Sequence, residues 1–533
     1  MYLSLFPYVY ASVRLSVSLS FSLPRRIHTP ICLSFYFSVY PCVCLFIFVS
    51  LNGVFRLSLN NLTFIEHADW TPSETTRDLC RNKGLPKAKS LKQVYQELNG
   101  KQKCPYNPRQ NSTAVMTKDG NLYTGTVMDI QARDHAISRV MGPLPILRTL
   151  RSNSKWLNEP NFVSSYEIDS YIYFFFRETA VEHINCGKTD RGGDSLLLEN
   201  NWTTFLKSRI NCSLAGEFPF YFDEIQGTYY SREEKKIYAV FGTGVNGIPG
   251  SAVCVYALDT FHKSFTGAFK YQKDAISAWT RMENHKAEAQ CPSPGSSSKR
   301  SYSNHISQVL LDAQKYQMMN DAVQPISIMP AFYAGGQRWT HIVVDTVYAL
   351  KGKFSVVFVG TTKGIIKKML QIPSQNLSCT LEEIKVTPEG RDIPVMAMVK
   401  SKEQRAVYVG VSPYVFKIPF ERCHRLKTKS MCLQARDPYC AWNTINKTCA
   451  SPPRNELGAH YWLQDITSCP VLETPVDGKW SAWSEWTQCK LMGTDRLGDD
   501  CWCRTRVCDN PKPRLGGKDC MGDTVEVFLI CRP

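Results

Sequence analysis

Arg405–Phe420 reads RAVYVGVSPYVFKIPF, and Lys353–Leu370 reads KFSVVFVGTTKGIIKKML. Each is an apolar run, a turn marked by Gly, Ser or Pro, and a second apolar run. Val, Ile, Phe and Tyr fill both arms, the residue types that suit a pleated, half-buried surface. The turn residues cut the runs at strand length, so each stretch reads as a hairpin. The theme recurs in KDGNLYTGTVMDI (Lys118–Ile130), SYIYFFFRET (Ser170–Thr179), KKIYAVFGTG (Lys235–Gly244), GSAVCVYAL (Gly250–Leu258) and THIVVDTV (Thr340–Val347). Short strands repeated from about residue 104 to 420 predict an all-β architecture. A few hundred residues of them predict a β-propeller, whose radial blades leave little exposed sheet edge. One segment departs from the theme. Ser303–Asp321 places Ile306, Val309, Leu310, Ala313 and Gln317 at helical spacing and predicts a helix carried on an insertion.

The bulk properties bound what such a chain does. Its 533 residues exceed one domain, and 43% hydrophobic with 21% charged residues is a folded rather than a disordered composition. The 21 cysteines crowd towards the C-terminus, from Cys423 through Cys531, in stretches too short for a large core. That is the pattern of disulfide-stapled modules in an oxidising compartment. Zinc is the rival reading, but paired C-x2-C spacings are absent. Six N-glycosylation sequons, at Asn61, Asn111, Asn201, Asn211, Asn376 and Asn446, agree with secretion. A net charge of +16 calls for an acidic partner. Outside the cell that means sulfated glycans, anionic surfaces or an acidic protein face, and not nucleic acid.

Residues 1–55 form an uncertain leader, with an apolar run at 31–51 broken by Pro41, Cys42 and Cys44; part of this stretch is expected to be a gene-model artefact. A propeller is expected over 56–421, a stapled module over 422–470 and another over 476–533.

Longer strings allow a family to be named. CPYNPRQNSTAV (Cys104–Val115), NSKWLNEPNFVSSYEI (Asn153–Ile168), YFFFRETAVEH (Tyr173–His183), NWTTFLKSRINCS (Asn201–Ser213) and SAVCVY (Ser251–Tyr256) resemble the sema domain. RDPYCAW (Arg436–Trp442) resembles the plexin–semaphorin–integrin (PSI) knot, and WSAWSEWTQC with CRTRVCDNPKPRLGGKDC is similar to a thrombospondin type-1 repeat. That order is the arrangement of class 5 semaphorins. The resemblance implies a seven-bladed β-propeller that binds plexin receptors, a homodimer, and no cofactor. It implies the disulfides Cys212–Cys254, Cys423–Cys440, Cys432–Cys449 and Cys508–Cys520. It leaves Cys80, Cys104, Cys186, Cys291, Cys379, Cys469, Cys501 and Cys503 unassigned. The full-length form is expected at the cell surface or outside it, with a membrane anchor beyond the C-terminus.

The sequence also departs from this family. Between Cys186 and Trp202 a longer segment is missing, including the cysteine that would pair with the position of Cys291. That gap is expected to remove a strand. The first-blade strands before Cys104 are absent too, so the propeller is expected to be incomplete at its N-terminal blade. Basic side chains that other members present before THIVVD do not carry over to AFYAGGQRW, where Arg338 is the nearest basic group, so no receptor-contact residue is assigned.

Trp480, Trp483 and Trp486 recur at every third residue and face Arg504 and Arg506, which predicts interleaved indole and guanidinium layers. Lys479, Lys490, Arg504 and Arg506 are candidates for binding heparan or chondroitin sulfate proteoglycans. Enzyme chemistry lacks a constellation: His135, His183 and His341 lie in unrelated segments, and no G-x-S-x-G or H-E-x-x-H occurs. Asp129, Arg133 and Asp134 read as a turn with a salt bridge. Two functions therefore stand: a plexin-binding guidance ligand in axon guidance and cell migration, or an adhesive matrix protein that binds glycans without receptor signalling.

Overall fold

The aromatic run Tyr173–Phe176 is buried at every residue. Successive strand side chains point to opposite faces, so Phe174 and Phe176 enter one hydrophobic cluster while Tyr173 and Phe175 enter another. The next blade repeats the division: Ile237, Ala239 and Phe241 face one cluster, Tyr238 and Val240 the other. A strand with a core on each side has no polar face, which is why these segments read as unbroken apolar runs.

The computed structural model describes residues 110–529 apart from 130, 179–182, 188–189, 194–196, 275–276, 287–309, 373–376, 388–390, 413, 471–477, 491–496 and 511–519. Before residue 110 it describes 102, 103, 105 and the backbone of five strands. The chain divides into two units, Met1–Cys469 and Pro470–Pro533.

In the first unit five blades follow one another. Blade I holds Thr113–Met116, Leu122–Val127, His135–Met141 and Leu147–Arg148. Blade II begins with Asn161–Ile168, Tyr171–Arg177, His183–Gly187 and Leu206–Ser208. Blade III holds Glu224–Ser231, Lys236–Gly242, Gly250–Ala257 and Phe332–Gly335. Blade IV holds Trp339–Ala349, Gly352–Thr361, Ile365–Ile372 and Leu377–Lys385, and blade V holds Val395–Ser401, Ala406–Val411 and Tyr414–Pro419. The first strand of each blade lies against the first strand of the next. One hydrophobic cluster fills each of the four gaps between them.

An N-terminal sheet of Tyr10–Ser16, Cys32–Ser38, Leu45–Val49, Gly53–Ser58 and Phe64–Asp69 completes the circle, its first strand lying beside the first strands of blades V and I. The apolar run 31–51 thus supplies the strands Cys32–Ser38 and Leu45–Val49, while Pro41 between them lies outside the described residues. Among the described residues the all-β propeller has six sheets in its ring, one fewer than the complete family pattern. Blade packing is close enough to require glycine. A Cβ on Gly125 would lie 2.7 Å from the Phe162 ring, and one on Gly360 2.7 Å from Val395.

Blade II corrects the expected loss of a strand at the shortened join. His183–Gly187 still pairs with Leu206–Ser208. Buried Asp190 holds the connection: its carboxylate accepts the N–H and hydroxyl of both Thr203 and Thr204 at 2.7–2.9 Å, and the N–H of Gly192 at 2.8 Å. The sheet then continues outward. Met318–Met319 pairs with Leu206–Ser208 and with Ala268–Tyr271, which pairs with Thr280–Lys286. The helix predicted over Ser303–Asp321 is confined, among the described residues, to 310–315. The Gln317 carbonyl accepts the Lys207 N–H at 2.6 Å, which draws the following residues into the sheet. A helix that the sequence reading passed over, Leu258–Phe265, packs Leu258, Phe261 and Phe265 into the core between blades II and III.

The knot, residues 422–470, belongs to the same unit as the propeller because it shares the last blades' core. Cys423, Cys432, Tyr439, Cys440, Trp442, Cys449 and Ile466 lie in the cluster of blades IV and V. Disulfides join Cys423 to Cys440 and Cys432 to Cys449. A third, Cys379–Cys469, ties the outer strand of blade IV to the end of the knot across 90 residues.

A buried polar chain crosses this joint. Lys368, 1% exposed, donates to Asp437 at 2.5 Å and to the Phe420 carbonyl at 2.8 Å, with its ammonium 4.6 Å from the Tyr439 ring centre. The Tyr439 hydroxyl donates to Asp345 at 2.7 Å, and Lys400 donates to Asp345 at 3.3 Å and to the Val344 carbonyl at 2.6 Å. Burial pushes Lys368 and Lys400 below the usual lysine value, against the pull of their carboxylates.

Asp437→Ala leaves the Lys368 charge buried without its counter-ion. Equilibrium denaturation of this variant is expected to show a loss of about 3–5 kcal/mol. The double variant Lys368→Met, Asp437→Ala, with neither charge, should recover a large part of that loss.

Candidate interaction surfaces

One end of blade III carries apolar side chains that the fold leaves outside. The connection into the blade forms a hairpin, Ser213–Leu214 against Phe220–Tyr221. Its tip places Phe218 at 88% exposure, with Phe220 and Tyr221 about half exposed. The turn between Lys236–Gly242 and Gly250–Ala257 presents Val245 and Ile248, 78% and 85% exposed. On the outer strand Tyr333 is 57% exposed.

These pieces are held together. The Phe220 and Phe222 rings pack at 5.2 Å, and Phe222 lies against Gly250. The Gly336 N–H donates to the Pro249 carbonyl at 2.7 Å, and the Thr243 hydroxyl donates to the Ile248 carbonyl at 2.7 Å. Cys212–Cys254 joins the base of the hairpin to the third strand of the blade. Arg338, the basic group nearest the stretch where other family members are basic, turns back into this surface. Its guanidinium donates to the carbonyls of Thr243, Gly244 and Val245 at 2.9–3.1 Å and fixes the turn that displays Val245 and Ile248. The family resemblance implied the Cys212–Cys254 disulfide, but the sequence reading assigned none of Phe218, Val245, Ile248 and Tyr333 to a surface. The available signal was Phe, Val and Ile set among Gly, Pro and Asn in EFPFYF and GVNGIPG, where turns are ordinarily polar.

The cluster Asp129, Arg133 and Asp134 is a turn. Asp129 accepts backbone N–H bonds from Gln131, Arg133 and Asp134, and Asp134 pairs with Arg148 and Arg151 rather than with Arg133. His135 and His341 lie in different blades, and burial lowers the affinity of both for a proton, His341 to a value of about 4.

The second unit is built on the ladder. The Arg506 guanidinium lies 4.3 Å from the ring centres of both Trp480 and Trp483, and that of Arg504 lies 5.0 Å from Trp483 and 4.8 Å from Trp486. Arg504 also pairs with Glu526 at 2.6 Å, and Arg506 donates to the Asp523 carbonyl at 2.9 Å. Both arginines are therefore committed to the stack before any ligand arrives, while Lys479 is exposed at its start. The side chain of Lys490 lies outside the described residues. Cys508 pairs with Cys520, and Cys503 carries a free thiol.

Comparison with known proteins agrees with this architecture. Residues 224–402 match the family model described as Sema domain, and 422–470 the one described as Plexin repeat. Semaphorin-5A of Homo sapiens is 39% identical over 526 residues, covering 90% of this chain and 48% of that protein. The solved structure of Drosophila Semaphorin 1a, extracellular domains 1-2, is 31% identical with a TM-score of 0.68, covering 81% of this chain and 95% of that one. The structure titled "Drosophila Plexin A in complex with Semaphorin 1b" matches at 29% identity and a TM-score of 0.69, over 80% and 93%. The chain belongs to the semaphorin family and is class 5-like within it. It spans about half the length of the Semaphorin-5A and Semaphorin-5B sequences it matches.

The sequons differ in access. Asn111 and Asn446 are exposed, although the Asn111 amide donates to the Asn161 side chain at 2.8 Å. The Asn211 side-chain amide donates to Gln324 at 2.8 Å. That of half-buried Asn201 donates to the Arg148 carbonyl at 3.1 Å, beside a backbone bridge between the same two residues. Asn61 and Asn376 lie outside the described residues. Glycopeptide mass spectrometry of protein from animal cells is expected to show high occupancy at Asn111 and Asn446, and the lowest of these four at Asn201.

Proposed function

We propose that this chain is the extracellular part of a guidance ligand that binds a plexin-type receptor through its propeller. The observation that carries the reading is the apolar end of blade III, where Phe218, Val245, Ile248 and Tyr333 stand exposed on a surface braced by Arg338. Monomeric proteins seldom leave such a patch open unless a partner covers it. The relative whose printed title names a plexin in complex with a semaphorin supports the choice of partner. Homodimerisation, roles in axon guidance and cell migration, and residence outside the cell or on its surface belong to the same reading. The net positive charge and the exposed Lys479 beside the ladder support a second contact, with heparan or chondroitin sulfate, through the C-terminal unit.

Ile248→Asp combined with Val245→Asp places charge on the patch without touching a buried side chain. Binding of this variant to a plexin ectodomain is expected to fall at least about tenfold, equivalent to roughly 1.4 kcal/mol, with secretion unchanged. Undiminished binding would remove the patch from the receptor contact. A chain that binds glycan steeply with falling salt and no plexin at all would instead be an adhesive matrix protein.

In the C-terminal unit, Lys479→Gln and Lys490→Gln together are expected to lower the salt needed for elution from heparin while leaving tryptophan fluorescence unchanged. An identical elution position would show that these lysines do not contribute.

A further inference from the structure

The outward continuation of blade II forms a two-stranded ribbon, Ala268–Tyr271 against Thr280–Lys286, with cations on both faces. Lys270 stands directly opposite Arg281, a like-charge cross-strand arrangement that is unfavourable by itself. On the other face the Tyr271 ring carries two ammonium groups, Lys315 at 4.6 Å from its centre and Lys155 at 5.5 Å. Lys155 is fixed there by donating to the Gln272 carbonyl at 2.7 Å. Lys315 is also 5.0 Å from the Tyr316 ring, which packs edge-on against Tyr271 at 5.3 Å.

Ring faces hold cations in place but leave their charge unneutralised. Among the described side chains, Asp274 and Asp312 lie close in sequence to these cations, and Asp312 acts on Lys315 electrostatically. Asp274 accepts the N–H and hydroxyl of Ser277 at 2.8 and 2.6 Å, and Asp312 lies three residues before Lys315. Among the described residues none of Lys155, Lys270, Arg281 or Lys315 forms an ion pair within 4 Å. Several positive groups elsewhere in this unit are matched by acids, as Lys207 is by Glu178, Lys367 by Glu383 and Lys368 by Asp437, whereas Arg338 is held by backbone carbonyls. Here Lys155 and Lys315 are held by a carbonyl and by rings, and Lys270 and Arg281 are brought opposite each other by the strand register, without such ion pairs.

We propose that this ribbon is a binding site for a linear sulfated polysaccharide, separate from the C-terminal ladder. A flexible polyanion can run along the outer strand of the ribbon and present sulfates to both faces, which a folded acidic domain cannot do. The exposed Trp279, at the turn of the ribbon, adds an apolar surface for a sugar ring. Sulfate brought between Lys270 and Arg281 turns their mutual repulsion into two attractive contacts.

Lysine acetylation of the full chain, read by mass spectrometry with and without a heparin decasaccharide, tests this directly. Lys155, Lys270 and Lys315 are expected to be protected about fivefold or more, while Lys447 on the knot is unaffected. Desulfated heparin should give no protection. The double variant Lys315→Gln, Arg281→Gln alters exposed side chains only, and should lower the dependence of log K on log salt by roughly one unit per cation removed. Equal acetylation with and without the decasaccharide overturns the proposal. Protection confined to Lys479 also overturns it, while leaving the C-terminal reading intact. Protection by polyglutamate equal to that by heparin overturns the assignment to a polysaccharide and points to an acidic peptide.

Discussion

Every central strand of the propeller has to satisfy two cores at once. Its odd residues fill one gap between blades and its even residues the next, so a polar residue on either face costs burial without solvent. This explains why Tyr173–Phe176 and Val356–Val359 contain no alternation, although period-two alternation is the usual mark of a strand. It also explains where glycine is needed. Where a strand passes close under its neighbour, as at Gly125 beneath Phe162 and Gly360 beneath Val395, even a methyl group has no room. The ring is thus a chain of mutual dependence, in which each blade supplies half of the core of the next. The knot extends the same logic by adding Tyr439, Trp442 and its disulfides to the cluster of blades IV and V.

The joint between propeller and knot adds something that apolar packing cannot provide. Hydrophobic contact is non-directional, whereas Lys368, Asp437, Tyr439, Asp345 and Lys400 form a sequence of contacts with only one satisfactory arrangement. Gln464 reinforces it, donating to the carbonyls of Pro438 and Cys440 within the knot and accepting the Leu350 N–H from blade IV. Buried ion pairs contribute little net stability compared with apolar replacements. Their effect here is on orientation: sliding the knot along blade IV would strand a lysine without its carboxylate. Cys379–Cys469 acts in the same sense by fixing the far end of the knot to an outer strand.

Local patterns were legible and distant pairings were not. The hairpin RAVYVGVSPYVFKIPF becomes Ala406–Val411 paired with Tyr414–Pro419, because strand and turn signals lie within one short stretch. The tryptophan and arginine spacings likewise led to the interleaved ladder, since strand geometry alone brings such layers into register. By contrast, nothing near Cys379 marks Cys469 as its partner; the 90 residues between them are brought together by an entire blade and the knot. The helical spacing at Ser303–Asp321 was overruled beyond residue 315 by tertiary pairing of Met318–Met319. At the join before Leu206, sequence comparison showed what was missing but not the local repair, in which Asp190 gathers the donors of Thr203 and Thr204. The apolar end of blade III escaped notice because exposure is a property of the fold: Val245 and Ile248 differ from core residues only in where the turn puts them.

Charge bookkeeping gives the surfaces their significance. Pairs such as Lys207–Glu178, Lys400–Asp345 and Arg504–Glu526 remove equal numbers of each sign, so they contribute nothing to the surplus of +16. That surplus belongs to groups outside such pairs. In the ladder the arginines serve the stack, and Arg504 has its own carboxylate, so among the described side chains of that unit Lys479 is the exposed cation outside the stack. Beside the ribbon of blade II, Lys155 and Lys315 are instead held by rings and a carbonyl, without an ion pair among the described residues. Preorganised charge of this kind loses less freedom when an anion arrives than charge on a free side chain. The apolar end of blade III and the cationic ribbon are then two surfaces of one unit with different physics. A partner at the first would be held by removing water from fixed apolar side chains, with little dependence on salt, whereas attraction of an anion to the second would fall as ionic strength rises.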